Sequence, residues 1–326
     1  MTPVPTPPSS ASVGSPHVRE MEGFPLGRVR ALLSRRERAR VLMYHRIHSE
    51  RAWLNVSPEN FLLQMRLIKA FFTPLSLSEL VACLRRGRPI PPRAVVITFD
   101  DGYRDNYEKA FPVLRDLGIP ATFFVTTGLI ESRQHFWWDH VRLGLKPEAE
   151  LMEAWPEMCH QLAGLPRPQL VDRVTARLKE IPHDQARQLL KAICLPVEPA
   201  EPETMTWPQL RELVRAGMEV GSHTVSHPIL AQQSREEAEW EIRHSKATLE
   251  QQLGCPVKHF AYPNGRPCDL SPEQPRILEQ VGYLSACTTV DRFVDRGSSV
   301  YGLERIAVNG FDSPVKFLLR MAGLLR

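Results

Sequence analysis

No run of apolar residues in the 326-residue chain approaches the length of a membrane-spanning helix, so no helical span is expected. No CxxC pair occurs among the cysteines at 83, 159, 194, 255, 268 and 287, which argues against a cysteine-built zinc site. In a chain of this size the thiols read as reduced and mostly buried, not as a disulfide framework. The opening stretch MTPVPTPPSSASVGSPHVRE lacks the apolar centre of a secretory signal. It is rich in Pro and Ser, so residues 1–24 are expected to be a disordered tail and 25–326 the folded domain. Net charge is only +4, with no dense basic stripe interleaved with aromatics and no RNA-binding or zinc-finger signature, so nucleic acid is not an expected partner. Together these absences lead to the expectation of a cytoplasmic protein.

Two basic stretches temper that expectation. PLGRVRALLSRRERAR (25–40) sets Arg28, Arg30, Arg35, Arg36, Arg38 and Arg40 against one Glu37, with Leu26, Val29, Leu32 and Leu33 near one helical face. PVKFLLRMAGLLR (314–326) has a similar character. Each reads either as an amphipathic helix packed on the domain or as a basic helix on an anionic membrane, which leaves peripheral membrane contact open.

Apolar residues make up 43% of the chain and charged residues 24%, enough for a folded core. Short apolar runs predict strands at 41–44, 94–99, 121–126, 218–222, 258–262, 283–289 and 303–308. The second, AVVITF, is continuously apolar, as in a strand buried on both faces. Helices alternate with them. Asp105 is expected to cap one that stops near Gly118, and TWPQ (206–209), SREE (234–237) and SPEQ (271–274) read as capping boxes. Residues 57–72 and 76–87 read as two further helices. This alternation predicts parallel βα units, an α/β fold of barrel type.

Chemically useful groups cluster where the strands end. His45 follows the first; Asp100 and Asp101 follow the second; His223 follows MEVGS; Tyr262, Pro263 and Asn264 follow KHFA; Arg305 lies in the last. In a (β/α) barrel that rim carries the chemistry. Residues 131–205 break the rhythm as a helical insertion, with helices near 168–180 and 184–194, that either shapes the pocket or covers the barrel side. His223 and His227 are four apart, which on a helical turn brings both rings to one side. With one carboxylate they make a three-ligand set for a divalent metal, zinc first, with a position open for water. Asp101 can be that carboxylate, which leaves Asp100 free as a base.

This set resembles the polysaccharide deacetylase family, also known as the NodB-homology fold or carbohydrate esterase family 4. Its first motif, T-F-D-D-G, is matched by residues 98–102, and its second, H-[ST]-x-x-H, by residues 223–227; the likeness covers roughly 40–130 and 206–310. The resemblance implies a distorted (β/α)7-type barrel and metal-dependent N-deacetylation of an N-acetylated sugar. It also implies Asp100 as the base and Asp101, His223 and His227 as metal ligands. The third motif, often R-x-P-[FY], departs: Ala261 stands where the Arg would be and Asn264 where the aromatic would be. Arg305, or less well Arg266, is the candidate to supply the missing charge. The late His that usually serves as acid is not evident, and His45 is its candidate replacement, since LMYHRI resembles the branch containing deacetylases of exported poly-N-acetylglucosamine. Trp137, Trp138 and Tyr262 are candidates to stack on a sugar ring, although core packing explains aromatics equally well.

The expected partner is therefore an N-acetylated saccharide of a polysaccharide or envelope-glycan precursor. Three alternatives stand beside it: a non-sugar C–N amide hydrolase or deformylase of the same fold, a catalytically silent sugar-binding module, and a mononuclear Fe(II) oxygenase.

Overall fold

The computed structural model describes residues 37–50, 52 and 54–325. The expected disordered tail and most of the first basic stretch lie outside them. Eight strands form one sheet, all paired in parallel: β1 (Arg40–Tyr44), β2 (Thr73–Pro74), β3 (Ala94–Phe99), β4 (Ala121–Val125), β5 (Glu219–Ser222), β6 (His259–Ala261), β7 (Ser285–Cys287) and β8 (Ile306–Ala307). The order is β8-β1-β3-β4-β5-β6-β7, with β2 added beside the start of β3. The two ends of this path approach each other through the closing stretch: Leu303 bridges Cys287 in parallel, and three residues later the chain pairs with β1. The sheet is thus curled into a barrel with helices around it. All seven apolar runs contain strands, six with ends within two residues of their expected place and the last shortened to Ile306–Ala307.

Strand alternation divides the side chains between two cores. Val41, Ala94, Val96, Phe124, Ala261, Cys287 and Leu303 pack with Leu77, Leu80 and Val81 into one cluster. It draws on strands all round the sheet, so it fills the curl. Leu42, Tyr44, Ile97, Phe99, Phe123 and Phe260 pack against the outer helices in a larger one. Tyr44, Phe99 and Phe123 are register partners on β1, β3 and β4, with ring centroids 5.4 and 4.9 Å apart. This ladder pins three strands just below the rim. Burying such a ring contributes about 2–3 kcal/mol.

Twelve α-helices follow in the described residues: α1 (Pro58–Phe71), α2 (Leu77–Arg85), α3 (Phe111–Leu117), α4 (Trp137–Gly144), α5 (Glu148–Ala154), α6 (Cys159–Leu162), α7 (Arg167–Leu178), α8 (His183–Ile193), α9 (Trp207–Arg215), α10 (Arg235–Leu253), α11 (Gln274–Val281) and α12 (Pro314–Ala322). Reciprocal capping boxes open α2, α9 and α10, from Ser76/Glu79, Thr206/Gln209 and Ser234/Glu237. SPEQ makes only half a box: the Ser271 N–H donates to Gln274, while Glu273 precedes α11 without a side-chain cap. Asp105 caps nothing, because its carboxylate accepts instead from the Ile47 N–H and Arg46, and the chain starts there with a turn of π-helix at Asn106–Ala110.

The insertion holds α4 to α8 around a core of its own, with Val141, Leu151, Trp155, Leu170, Val174 and Ile193 buried. Both expected helices are present as α7 and α8. At the C-terminal end, α12 turns Phe317, Leu318 and Met321 into the main core, and Arg320 bonds Asp312 and the Ala307 carbonyl. Its apolar side packs on the barrel, which is the packed helix of the two readings and lends no support to membrane contact through it. Among the described residues, no helix is long and apolar enough to cross a membrane.

Candidate active site

The paired aspartates diverge because the backbone turns beneath them. Asp100 continues the inward alternation of Ala94, Val96 and Thr98, and its N–H extends the ladder to the Tyr44 carbonyl at 2.9 Å. Asp101 (φ 72°) and Gly102 (φ 82°) are both left-handed, and this turn swings the second carboxylate onto the rim. Position 102 must be glycine, since a Cβ there would lie 2.8 Å from Val125.

His223 and His227 do not share a helical turn, contrary to the sequence expectation. They sit on a loop after β5 with Thr224 (φ 67°) and His227 (φ 60°) left-handed, and the Thr224 hydroxyl accepts from the His227 N–H at 3.0 Å. The rings still meet, with centroids 4.7 Å apart. Glu241 of α10 holds the loop: it accepts from the Val225 N–H (2.6 Å), the Ser226 N–H (3.1 Å) and the Ser226 hydroxyl (2.6 Å). Sequence reading missed this residue. Its signal was a glutamate on the inward stripe Ala238, Ile242, Ser245 and Leu249 of an otherwise amphipathic helix.

Asp101 Oδ1 lies 3.5 Å from His223 Nε2 and 3.4 Å from His227 Nε2, and the three ligand atoms are mutually within 4.8 Å. Bonds of ~2.1 Å to a tetrahedral ion place ligand atoms about 3.4 Å apart, so the spacing fits a metal. The protonation states fit as well. His223 Nδ1 donates to the Ala261 carbonyl at 2.7 Å, which turns a bare Nε2 toward Asp101. Burial lowers the His223 pKa to about 4, so the ring is neutral near pH 7. Burial pushes the Asp101 carboxyl up to about 6, against the pull of His45 and His223. A buried carboxylate beside the neutral His223 ring, with a second imidazole in reach, is a donor set that a divalent ion completes.

Asp100 has its cation already. Arg305 grips it with two bonds of 2.7 Å, donates from Nε to the Thr288 carbonyl, and is wholly buried. Burial raises the Asp100 pKa, but Arg305 together with His223 and His45 more than offsets that and holds it at about 2. Arg305, expected to supply the charge that steadies Asp100, touches Asp100 and not the open rim, so it positions that carboxylate. Arg305 comes from the stretch just before the closing strand and reaches Asp100 across the barrel, while Ala261 lies in the inner apolar cluster. Arg266 is excluded from that role because it pairs with Asp269.

His45 follows β1 and lies within electrostatic reach of Asp100, Asp101 and His223; burial lowers its pKa. Trp138 stands beside His227, ring centroids 4.6 Å apart, and its indole donates to the Tyr103 hydroxyl, which in turn donates to Asp139. Trp137 packs instead in the insertion core. Tyr262 is corrected as a sugar platform: it is 1% exposed, with its hydroxyl donating to the Tyr301 carbonyl. Pro263 is buried too. Asn264 (φ 59°) stays at the rim, donating to Asp269 and accepting from Lys179, the residue that ends α7. Through Lys179 and Trp138 the insertion reaches the pocket, so it does shape the rim.

The family model described as polysaccharide deacetylase matches residues 87–284, more than half of the chain. A Bacillus subtilis protein bearing the name polysaccharide deacetylase YxkH is 23% identical over 270 residues, 82% of this chain and 71% of that protein. The poly-beta-1,6-N-acetyl-D-glucosamine N-deacetylase of Escherichia coli is 40% identical over 52 residues, 16% of this chain and 8% of the relative. Among solved structures, the Streptococcus pyogenes deacetylase PplD in complex with acetate superposes with a TM-score of 0.60 at 24% identity, covering 87% of this chain and 98% of that one.

Proposed function

Because the chain belongs to the polysaccharide deacetylase family, we propose that it hydrolyses the N-acetyl group of an N-acetylated sugar in a polysaccharide or envelope-glycan precursor, using a divalent ion, zinc first. One observation carries this reading. One ligand atom each from Asp101, His223 and His227 converges within 4.8 Å, and a second carboxylate beside them is paired with Arg305. A bound ion supplies a Lewis acid for the acetamide carbonyl and a water of lowered pKa.

The chain's own groups supply the rest. Asp100 is the base that takes the proton of the attacking water; with its carboxyl at about 2 it is ready throughout the neutral range. His45, within electrostatic reach of both carboxylates, is the group to protonate the leaving amine. Its lowered pKa leaves it mostly neutral before reaction, so the proton it delivers is one gained during the cycle. Trp138 and Asn264 border the substrate. The Escherichia coli relative's name supports N-acetylglucosamine as the sugar.

Acetate release from N-acetylglucosamine oligomers by zinc-loaded protein tests the reading. Release that Asp100→Asn abolishes, with zinc still bound by that variant, is the expected result. A protein that binds no metal overturns the site, and one that binds metal but deacetylates no sugar overturns the substrate.

A further inference from the structure

Trp240 lies off the inward stripe of α10 and is 48% exposed. Core packing does not account for it. It borders a cleft of about 400 Å³ between α10 and helix α8 of the insertion, also lined by Arg187, Ser226, Gln233, Glu236 and Glu241. Such a volume suits a small organic ligand. Ser226 is the residue before His227, so the cleft begins where the metal-ligand loop ends. The buried Glu241 fixes that wall through its bonds to Ser226. His244 stacks on the indole of Trp240 at 4.4 Å with ring planes 27° apart, and its Nδ1 donates to the Trp240 carbonyl at 3.0 Å. The ring is therefore backed on one face and held in place.

A held indole beside hydrogen-bonding groups of both charges selects among ligands. A purely apolar ligand would strip water from Arg187 and Glu236 without replacing it. A simple ion would leave the indole unused. A pyranose uses both: its C–H face packs on the ring, and its hydroxyls donate to Glu236 and accept from Arg187 or Gln233. We infer that this cleft is a second sugar subsite, which holds another unit of the same glycan chain whose N-acetyl group lies at Asp101, His223 and His227. The inference rests on the deacetylase reading and narrows it to substrates several units long.

The test is the length dependence of acetate release. For the wild type, kcat/KM is expected to rise from N-acetylglucosamine to its hexamer. Trp240→Ala should reduce that hexamer-to-monomer ratio about tenfold through KM, and Trp240→Phe should restore most of it. An unchanged ratio in Trp240→Ala overturns the subsite. Equal losses on monomer and hexamer overturn it as well, because they indicate a structural role. Calorimetric binding of the hexamer to Asp100→Asn, with and without Trp240→Ala, separates the two hypotheses. If no oligomer is deacetylated, the functional reading fails, yet hexamer binding that depends on Trp240 still supports the subsite. Hexamer binding that ignores Trp240, or no binding at all, overturns it.

Discussion

The two ends of the barrel each bury imidazole against carboxylate, and they do different things with it. At the end where strands begin, His259 lies 3.8 Å from Glu219. There the polar atoms are tied to donors of the barrel: Glu219 accepts from the Leu77 and Ser78 N–H groups and the Thr122 hydroxyl, and His259 is bracketed by the hydroxyls of Ser78 and Ser285 at 2.8 Å each. This cluster ties α2 across the mouth of the barrel. At the end where strands finish, His223 and His227 lie 3.5 and 3.4 Å from Asp101, and the three ligand atoms converge within 4.8 Å of one another. Proximity of His to Asp or Glu is common to both ends. The arrangement of donors separates a structural plug from a place for a cation.

The largest break in this comparison should come from Arg305→Ala, which leaves the buried Asp100 without its partner. A loss of about 3–5 kcal/mol in urea unfolding is expected. The milder Arg305→Lys should move the acid limb of the kcat/KM profile upward. Without the bidentate guanidinium, burial is less fully offset, so the Asp100 pKa rises from about 2 and activity at pH 5 falls relative to pH 7. An unshifted limb would remove Arg305 from the mechanism.

His223→Ala comes next. Zinc affinity by calorimetry should drop by at least ~100-fold, beyond what loss of an outer partner costs, whereas Glu219→Gln at the opposite end should leave the titration unchanged. Equal effects at both ends would erase the distinction. Glu241→Gln sharpens the same contrast more gently. It loosens the loop that carries both histidines and should weaken zinc binding ~10-fold while the ligands themselves remain.

The smallest effect concerns pH and stability. Burial depresses the His259 pKa to about 4, below its ordinary value of 6.5. Between those values the unfolded chain takes up a proton that the folded chain refuses. Stability should therefore be full above pH 6.5 and decline as pH falls toward 4. His259→Gln, compared with wild type by urea unfolding at pH 7 and pH 5, should show a decline smaller by about 1–2 kcal/mol. Parallel curves would show that this imidazole does not control the acid limit.

Sequence reading was most successful where structure is local. Strand runs, glycine stops and three reciprocal caps depend on residues within a turn or two of each other. It was least successful where a side chain had a competing partner. Asp105 looked like a cap, but Arg46 and the Ile47 N–H took its carboxylate. Tyr262 looked like a platform after a strand end, but Tyr301 drew its hydroxyl inward. The HxxxH spacing suggested a helix, and two left-handed residues produced the same convergence on a loop.

By itself the sequence determined the βα alternation and the rim position of Asp100, Asp101, His45 and His223, because strand burial and residue chemistry are written locally. Only the tertiary structure decided which arginine steadies Asp100, how the two carboxylates part, and that Glu241 and Trp240 flank the same loop. Arg305 is 205 residues from Asp100 along the chain. Contacts across such distances are set by closure of the barrel, which brings the last strand beside the first.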